Sequence, residues 1–194
     1  NINRSFYQIY TESNGLSDNV ISTLYMMVDG KLCIGSLSNG LSLFSPNGVK
    51  FFNNESGLSS NNVRDIEKLG DQIYLSTLGG LFSWDDIAID TIITNNRVGP
   101  LHVDENIMYA GTYHGTVYSI TNNNVAEELP ISIGAEILDI STYKDKLYIG
   151  TFGKGLYSYN IKTQELYRHK TLPVNLKVTA LYSDSEGLYI GTNN

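Results

Sequence analysis

The sequence has few of the residues and segments that form disulfides, span membranes or bind phosphate backbones. Its single cysteine, Cys33, excludes an internal disulfide, so cysteine usage leaves the cellular compartment open. No apolar run approaches the roughly 18 residues that a membrane-spanning helix needs, and the first residues lack the features of a signal peptide. Lysine and arginine number 13 against 20 aspartates and glutamates, and the basic residues form no run. We therefore expect no nucleic-acid partner.

The residues that are abundant favour strands and tight turns over helices. Glycine occurs 18 times and tyrosine 14 times, with many asparagines and serines beside them. Hydrophobic residues make up 41% of the chain and charged residues 17%, which is typical of a folded globular domain. The composition therefore predicts an all-β protein.

A short segment of the form LYIGT recurs along the chain at intervals of about 35 to 41 residues. This is the period of a four-stranded propeller blade or a similar repeat. The five copies are Leu32–Ser36, Ile73–Thr77, Met108–Thr112, Leu147–Thr151 and Leu188–Thr192.

Each copy sits in the same succession of apolar segments and turns, which predicts four strands per unit. The LYIGT segments are apolar at consecutive positions, which indicates burial on both faces. A two-layer sandwich buries one face of each sheet, whereas blades around an axis bury both, so we favour a β-propeller of four-stranded antiparallel blades. We predict one partial propeller domain, 1–194, with approximate units 15–54, 55–95, 96–130, 131–172 and an incomplete 173–194.

The order of the predicted strands indicates an incomplete propeller of about four to five blades. The chain starts on an outermost strand at Phe6–Tyr10 and stops after the second strand of the last unit. An inner strand without its neighbour exposes unpaired backbone groups and apolar surface. We therefore expect remaining blades of the same parent protein to cover these ends, or the isolated chain to self-associate through them.

The first two units resemble the two-component regulator propeller repeat. The resemblance rests on a GL loop before the first strand, on the LYIGT strand and on the following Gly-Leu. It is weaker in later units, which lose the GL loop, and the tryptophan of the family's second strand is absent. The segments that carry it are Asn14–Val20, Asp29–Ser36 and Asn39–Leu41 in the first unit, and Ser56–Val63, Ile73–Thr77 and Gly79–Leu81 in the second.

Such repeats typically form the extracytoplasmic sensor of bacterial hybrid two-component histidine kinases, where seven-bladed propellers precede an immunoglobulin-like module, a membrane helix and the kinase. The resemblance thus implies a periplasmic or extracytoplasmic location. It also implies that the partners include downstream domains of the same parent protein. Several such sensors respond to polysaccharide fragments, so it further implies an oligosaccharide or other small ligand.

The sequence shows no cluster of residues that predicts catalysis, a metal site or a cofactor. The histidines are too far apart for zinc ligation, and Cys33 has no CxxC partner. Asp85, Asp86 and Asp90 lack the spacing of a calcium loop, and we interpret them as a solvated turn. We expect a protein that is not an enzyme, whose Cys33 packs as a small apolar residue between blades.

Two groups of loop residues are singled out. Leu16 and Leu58 of the GL loops are expected to pack between blades. Asn19 and Asn62 are expected to form hydrogen bonds with the neighbouring backbone. In a propeller, the turns between second and third strands lie on one face, where residues that depart from the repeat are candidates for binding. The candidate ligand-binding residues are Asn39, Tyr113, His114, Phe152 and Lys154.

Two other functions remain open at this stage. A propeller face is a general interaction surface, so the chain could be a scaffold that contacts only proteins. A propeller lyase or glycosidase would need an acid–base pair, for example His114 with a carboxylate on an adjacent blade.

Overall fold

A computed structural model describes residues 9–85, 87–173 and 175–193. The strands form five antiparallel sheets, in which chain neighbours are also neighbours in space. Sheets 1 to 4 have four strands each and sheet 5 has two. The strands are β1 (Ile21–Met26), β2 (Leu32–Ser36), β3 (Leu41–Ser45) and β4 (Gly48–Phe52) in sheet 1; β5 (Val63–Leu69), β6 (Gln72–Thr77), β7 (Gly80–Trp84) and β8 (Ile89–Thr94) in sheet 2; β9 (Val98–Asp104), β10 (Ile107–Thr112), β11 (Val117–Thr121) and β12 (Ala126–Glu128) in sheet 3; β13 (Ile137–Tyr143), β14 (Lys146–Thr151), β15 (Gly155–Asn160) and β16 (Glu165–Arg168) in sheet 4; and β17 (Lys177–Ser183) and β18 (Leu188–Asn193) in sheet 5.

The first strand of each sheet lies innermost, because β1, β5, β9, β13 and β17 contact one another in succession. The later strands of each sheet lie progressively outward. This arrangement confirms the predicted all-β propeller of four-stranded antiparallel blades. Within the described residues, the sheets form a partial propeller and not a closed ring.

Short helical and unpaired segments precede the inner strands of the first two sheets. Single 3-10 turns occur at Glu12–Asn14 and Asn54–Ser56, before the GL loops. Most of the strand expected at Phe6–Tyr10 lies outside the described residues; its last two residues, which are described, are not in a strand. No helix in the described ranges is long and apolar enough to cross a membrane.

The glycine of the LYIGT strand is explained by the packing of each sheet against the next. A Cβ added at Gly111 would lie 2.7 Å from Ile137 Cγ2, and one at Gly150 would lie 2.8 Å from Val178 Cγ1. Gly35 meets Val63 in the same way, at 2.8 Å. These approaches leave no room for a side chain, so the repeat requires a glycine or another small residue where neighbouring sheets are closest.

The hydrophobic core consists of clusters between successive sheets, one for each of the four junctions. The junction of sheets 3 and 4, for example, buries Tyr109 from one side against Ile137, Ile140, Leu147 and Ile149 from the other. Cys33 is fully buried between sheets 1 and 2, as expected from the sequence. Stability therefore depends on contacts between neighbouring sheets, as in other repeat folds.

Candidate functional site

One face of the propeller, here called the loop face, carries the turns between second and third strands and the segments that enter the inner strands. The first residue of each such turn donates its N–H to a backbone carbonyl in the same sheet. The acceptor is the residue that directly precedes the inner strand. These bonds run from Leu37 to Val20 (3.1 Å), Leu78 to Asn62 (3.2 Å), Tyr113 to Arg97 (3.0 Å) and Phe152 to Glu136 (2.8 Å). The positions are therefore equivalent in sheets 1 to 4.

The chemistry at these equivalent positions divides the loop face into two halves. Sheets 1 and 2 place leucines in the turns, whereas sheets 3 and 4 place Tyr113 and Phe152 there. Their backbone partners in sheets 3 and 4 are the charged residues Arg97 and Glu136. The backbone pairing thus joins an aromatic residue to a charged residue in each of these two sheets.

A cavity of about 210 Å³ opens beside this half of the loop face, along the inner strands. Tyr113 and Glu136 contribute to it from the loop face. Arg64, Asp65 and Asp139 contribute to it from the inner strands β5 and β13. The lining therefore combines an aromatic ring, a guanidinium group and three carboxyl groups.

A β-bulge near the start of each inner strand positions these side chains. The pairing of β5 with β6 shifts between Val63 and Asp65, so Arg64 stands outside the regular ladder. The same shift occurs between Ile137 and Asp139 in β13. A bulge bends the strand and redirects a side chain, and here it directs residues of the inner strands to the cavity.

Tyr113 lies beside the inner strand β9 at Gly99. A Cβ added at Gly99 would lie 3.7 Å from Cε2 of Tyr113, an ordinary van der Waals distance. The Arg64 guanidinium carbon lies 5.9 Å from the centre of the same ring, within the range of a cation–π contact. Burial raises the pKa of the Tyr113 hydroxyl, an effect that the nearby Glu136 reinforces and Arg64 and Arg97 oppose. Tyr113 therefore stays protonated at neutral pH and can donate a hydrogen bond.

Asp65 and Asp139 bind neighbouring sheets together at the base of the cavity. Oδ2 of Asp65 accepts the N–H of Leu101 in sheet 3 at 2.9 Å, and Oδ1 accepts that of Ile66 at 2.9 Å. Asp139 repeats this arrangement with Leu181 in sheet 5 at 2.6 Å and Ile140 at 2.8 Å. Oδ1 of Asp65 also accepts the Thr23 hydroxyl at 3.3 Å, so this carboxyl group joins sheets 1, 2 and 3.

Burial of these carboxyl groups predicts a definite pH dependence of stability. Desolvation raises the pKa of Asp65 above 3.8, with a further contribution from Asp139, and burial likewise raises that of Asp139. Between the unfolded and folded pKa values the folded state holds more protons, so the free energy of unfolding falls as pH rises through this window. We expect urea denaturation at a series of pH values to show this fall in the wild type. The same measurement on Asp65→Asn should show a smaller fall. Parallel pH profiles for the two proteins would contradict this prediction.

The other predicted ligand-binding residues of sheets 3 and 4 are not among the residues that line this cavity, and they have different contacts. The ring of Phe152 is half-exposed and carries the ammonium of Lys177 at 4.0 Å from its centre. The Lys154 ammonium donates to the carbonyl of Ile133 at 2.8 Å, which ties the turn to the preceding loop. His114 is exposed on the turn next to Tyr113.

Asn39 lies in a separate and larger cavity of about 440 Å³ near the GL loops. Its amide donates to the carbonyl of Ser17 at 2.8 Å, and Oδ1 of Asn61, another lining residue, accepts the N–H of Asn54 at 2.8 Å. These amides therefore hold the loops in place. The cavity beside Tyr113 offers the more varied chemistry and is our candidate site.

The residues expected to hold the GL loops make the following contacts. Leu16 and Leu58 are buried, and Leu58 packs in the cluster between sheets 1 and 2. Oδ1 of Asn19 accepts the N–H of Glu12 at 3.0 Å, and Asn62 donates to the carbonyl of Leu37 in sheet 1 at 2.6 Å. In sheet 2 the repeat equivalent of Asn19 is Asn61, since both accept an N–H seven residues earlier.

Four residues of the candidate site were not predicted from the sequence: Arg64, Asp65, Glu136 and Asp139. Asp65 and Asp139 occupy the same repeat position, two residues after the first buried aliphatic residue of the inner strand. A carboxylate recurring at this position of the repeat was the available signal. In the described ranges, no group of three or more His, Cys, Asp and Glu side chains is arranged to hold a metal ion.

Comparisons with known proteins bear on the fold. Neither family models nor curated proteins gave a match to this chain. Among solved structures, the extracellular domain of a proposed hybrid two component system of B. thetaiotaomicron, BT4673, superposes with a TM-score of 0.76 at 22% identity, over 89% of this chain and 26% of that one. The extracellular domain of BT3049, from the same organism, superposes with a TM-score of 0.71 at 20% identity, over 91% of this chain and 26% of that one.

A lyase shares the same architecture. Virginiamycin B lyase from Staphylococcus aureus superposes with a TM-score of 0.71 at 12% identity, over 91% of this chain and 65% of that one. The chain spans about a quarter of the length of the two extracellular domains. At these identities the likeness shows the fold, and it agrees with the resemblance carried by the GL loops and LYIGT strands.

Proposed function

We propose that this chain is a non-catalytic, ligand-sensing segment of the extracytoplasmic sensor of a bacterial hybrid two-component regulator, and that its ligand is a carbohydrate. The observation that carries the proposal is the cavity in which Tyr113 lies beside Arg64 and Glu136. The likeness to extracellular domains of such systems supports the same role.

The cavity chemistry suits a sugar. An aromatic ring offers a flat apolar surface to one face of a pyranose, while carboxylates accept from its hydroxyl groups and a guanidinium donates to them. The volume of about 210 Å³ lies below the roughly 300–1,000 Å³ of pockets for drug-sized ligands. The cavity therefore accommodates about one sugar unit, with the rest of an oligosaccharide extending over the loop face towards Phe152.

Replacement of Tyr113 tests the ligand site. We expect Tyr113→Ala to weaken binding of a responsive oligosaccharide at least about tenfold, equivalent to roughly 1.4 kcal/mol, through loss of the stacking surface. Isothermal titration of an oligosaccharide panel measures this effect. Tyr167→Ala is the matched control, because Tyr167 is an exposed tyrosine on the outermost strand of sheet 4. Equal affinities of the two variants for the same sugar would exclude the cavity as the binding site.

Three experiments separate the proposal from its alternatives. An open reading frame of the parent gene without a membrane helix and kinase downstream would remove the signalling role. Pull-downs that find a protein partner, together with no glycan binding, would favour an interaction scaffold. New reducing or unsaturated ends after incubation with polysaccharides would identify a glycosidase or lyase, the activity class of the Staphylococcus aureus neighbour.

A further inference from the structure

The loop face of sheet 4 carries positive charges that have no acidic partner. Seven of the 13 lysines and arginines lie within residues 144–177, together with only two of the 20 acidic residues. Three of these cations, Lys154, Arg168 and Lys177, meet at the turn 152–155. None of the three forms a salt bridge within the described part of the chain. The turn is therefore a positive surface on a chain whose net charge is -7.

The contacts that hold these cations at the turn leave their charge unneutralised. The Lys154 ammonium donates to the carbonyl of Ile133 at 2.8 Å, and Nε of Arg168 donates to the carbonyl of Lys154 at 3.1 Å. The Lys177 ammonium lies over the ring of Phe152. Nη2 of Arg168 is buried and has no hydrogen-bond partner among the described residues. A buried donor of a charged group is unfavourable without an acceptor, so Arg168 points to an acceptor that these residues do not supply.

The equivalent turn of sheet 1 shows that the fold does not require a charge at position 154. Turns 37–40 and 152–155 have the same length, and each closes with the same hydroxyl-to-carbonyl hydrogen bond. Asn39 occupies the position of Lys154 and donates its neutral amide to the carbonyl of Ser17, in the loop that enters sheet 1. Lys154 makes the same contact with the loop that enters sheet 4. An amide is thus sufficient for the structural contact, and the charge of Lys154 has no role in it.

Arg168 also stands where the other sheets have no cation. It lies opposite Tyr157 in the pairing of the third strand with the fourth. The corresponding residues of sheets 1 to 3 are an aromatic ring, a hydroxyl and a carboxylate: Phe51, Thr91 and Glu128. Both cations are therefore specific to sheet 4 and are not features of the repeat.

A single residue connects this cluster to the turn that carries Tyr113. The N–H of Ile133 donates to the carbonyl of Gly115, in the turn of Tyr113, at 3.0 Å. The carbonyl of Ile133 accepts from Lys154. An oligosaccharide with one unit in the cavity beside Tyr113 can therefore reach the cations of sheet 4 with its next units.

We propose that the ligand is an acidic oligosaccharide, whose carboxylate or sulfate group binds Lys154 and Arg168 while an uncharged unit occupies the cavity beside Tyr113. This inference rests on the proposed carbohydrate-sensing function. Ammonium and guanidinium groups bind carboxylate and sulfate oxygens through charge-assisted hydrogen bonds. The cavity lining has three carboxyl groups and one guanidinium group, so it disfavours the anionic part of the ligand.

A glycan array tests the charge of the ligand with neutral oligosaccharides, uronate-bearing ones such as oligogalacturonates, and sulfated ones such as carrageenan oligosaccharides. We expect the acidic members to bind, and their binding to weaken as the NaCl concentration is raised, because salt screens exposed charges. Binding of uronates alone assigns a carboxylate, and binding of sulfated members alone assigns a sulfate ester. Neutral members that bind as well as acidic ones would overturn the acidic ligand and leave the carbohydrate proposal standing. Binding of no member would overturn both.

Lys154→Asn tests the place of the acidic group, because it removes the charge and retains the amide contact that Asn39 makes in sheet 1. We expect it to weaken binding of the tightest acidic member of the array at least about tenfold in isothermal titration, with thermal denaturation unchanged. Lys162→Asn is the matched control, since Lys162 is an exposed lysine paired with Asp145 in the turn between the third and fourth strands of the same sheet. Equal affinities of the two variants would exclude the cluster. A loss in Tyr113→Ala without a loss in Lys154→Asn would keep the carbohydrate site and overturn its acidic extension.

Discussion

Truncation of Ile140 is expected to cost about 2–5 kcal/mol of the free energy of unfolding, the usual cost of removing a large buried aliphatic side chain. Ile140 is 2% exposed in the junction of sheets 3 and 4, so alanine would leave a cavity between two closely packed sheets. Urea denaturation of Ile140→Ala against the wild type measures the loss.

Leu24→Ala provides the matched control, since Leu24 has the same repeat position but is 63% exposed. We expect a change within about 0.5 kcal/mol. Equal losses for the two variants would show that the repeat position and not the inter-sheet junction determines stability.

A methyl group at Gly111 is expected to destabilise the protein by about 1–3 kcal/mol. Its Cβ would lie 2.7 Å from Ile137 Cγ2 and 3.0 Å from Ile140 Cδ1, so sheets 3 and 4 must separate to accept it. Ile137 and Ile140 are both buried in this junction and both belong to the inner strand β13, so this strand must shift. Thermal and urea denaturation of Gly111→Ala test this expectation.

Gly187→Ala is the control for this substitution. An added Cβ at Gly187 meets no atom within 4 Å. Alanine also restricts the unfolded chain more than glycine does, so we expect Gly187→Ala to be neutral or slightly stabilising. Destabilisation of the same size at both positions would show that backbone conformation, and not the close approach of the sheets, accounts for the effect.

Most of the fold could be predicted from the sequence, because each LYIGT copy indicates the same kind of buried strand. Consecutive apolar positions in Leu147–Thr151 indicated burial on both faces, and most of these residues are buried in the structure. The outer strands, such as β8 (Ile89–Thr94), are less clearly marked in the sequence. Outer strands pack against fewer neighbours, so their pattern is less constrained.

The candidate site was predicted only in part, for a geometrical reason. Tyr113 and Phe152 were found because they replace smaller turn residues of the repeat. Arg64 and Asp139 were not found, because a bulge changes which side of the strand each residue faces and alternation along the sequence does not show a bulge. Glu136 joins the site through a backbone hydrogen bond to Phe152, a contact between residues 16 positions apart that has no sequence signal.

The bulges also separate the part of each inner strand that maintains the fold from the part that a ligand could meet. The ladder resumes after the bulge, and the paired residues on either side keep the junctions filled, whatever stands at the bulged position. That position holds Ser22 in β1, Arg64 in β5, Leu138 in β13 and Thr179 in β17, a hydroxyl, a cation, an aliphatic side chain and a second hydroxyl. Specificity can thus evolve, or be engineered, one sheet at a time at these positions, with the strongest constraint from folding at Ser22, whose hydroxyl donates to the carbonyl of Val63 in the next sheet at 2.6 Å.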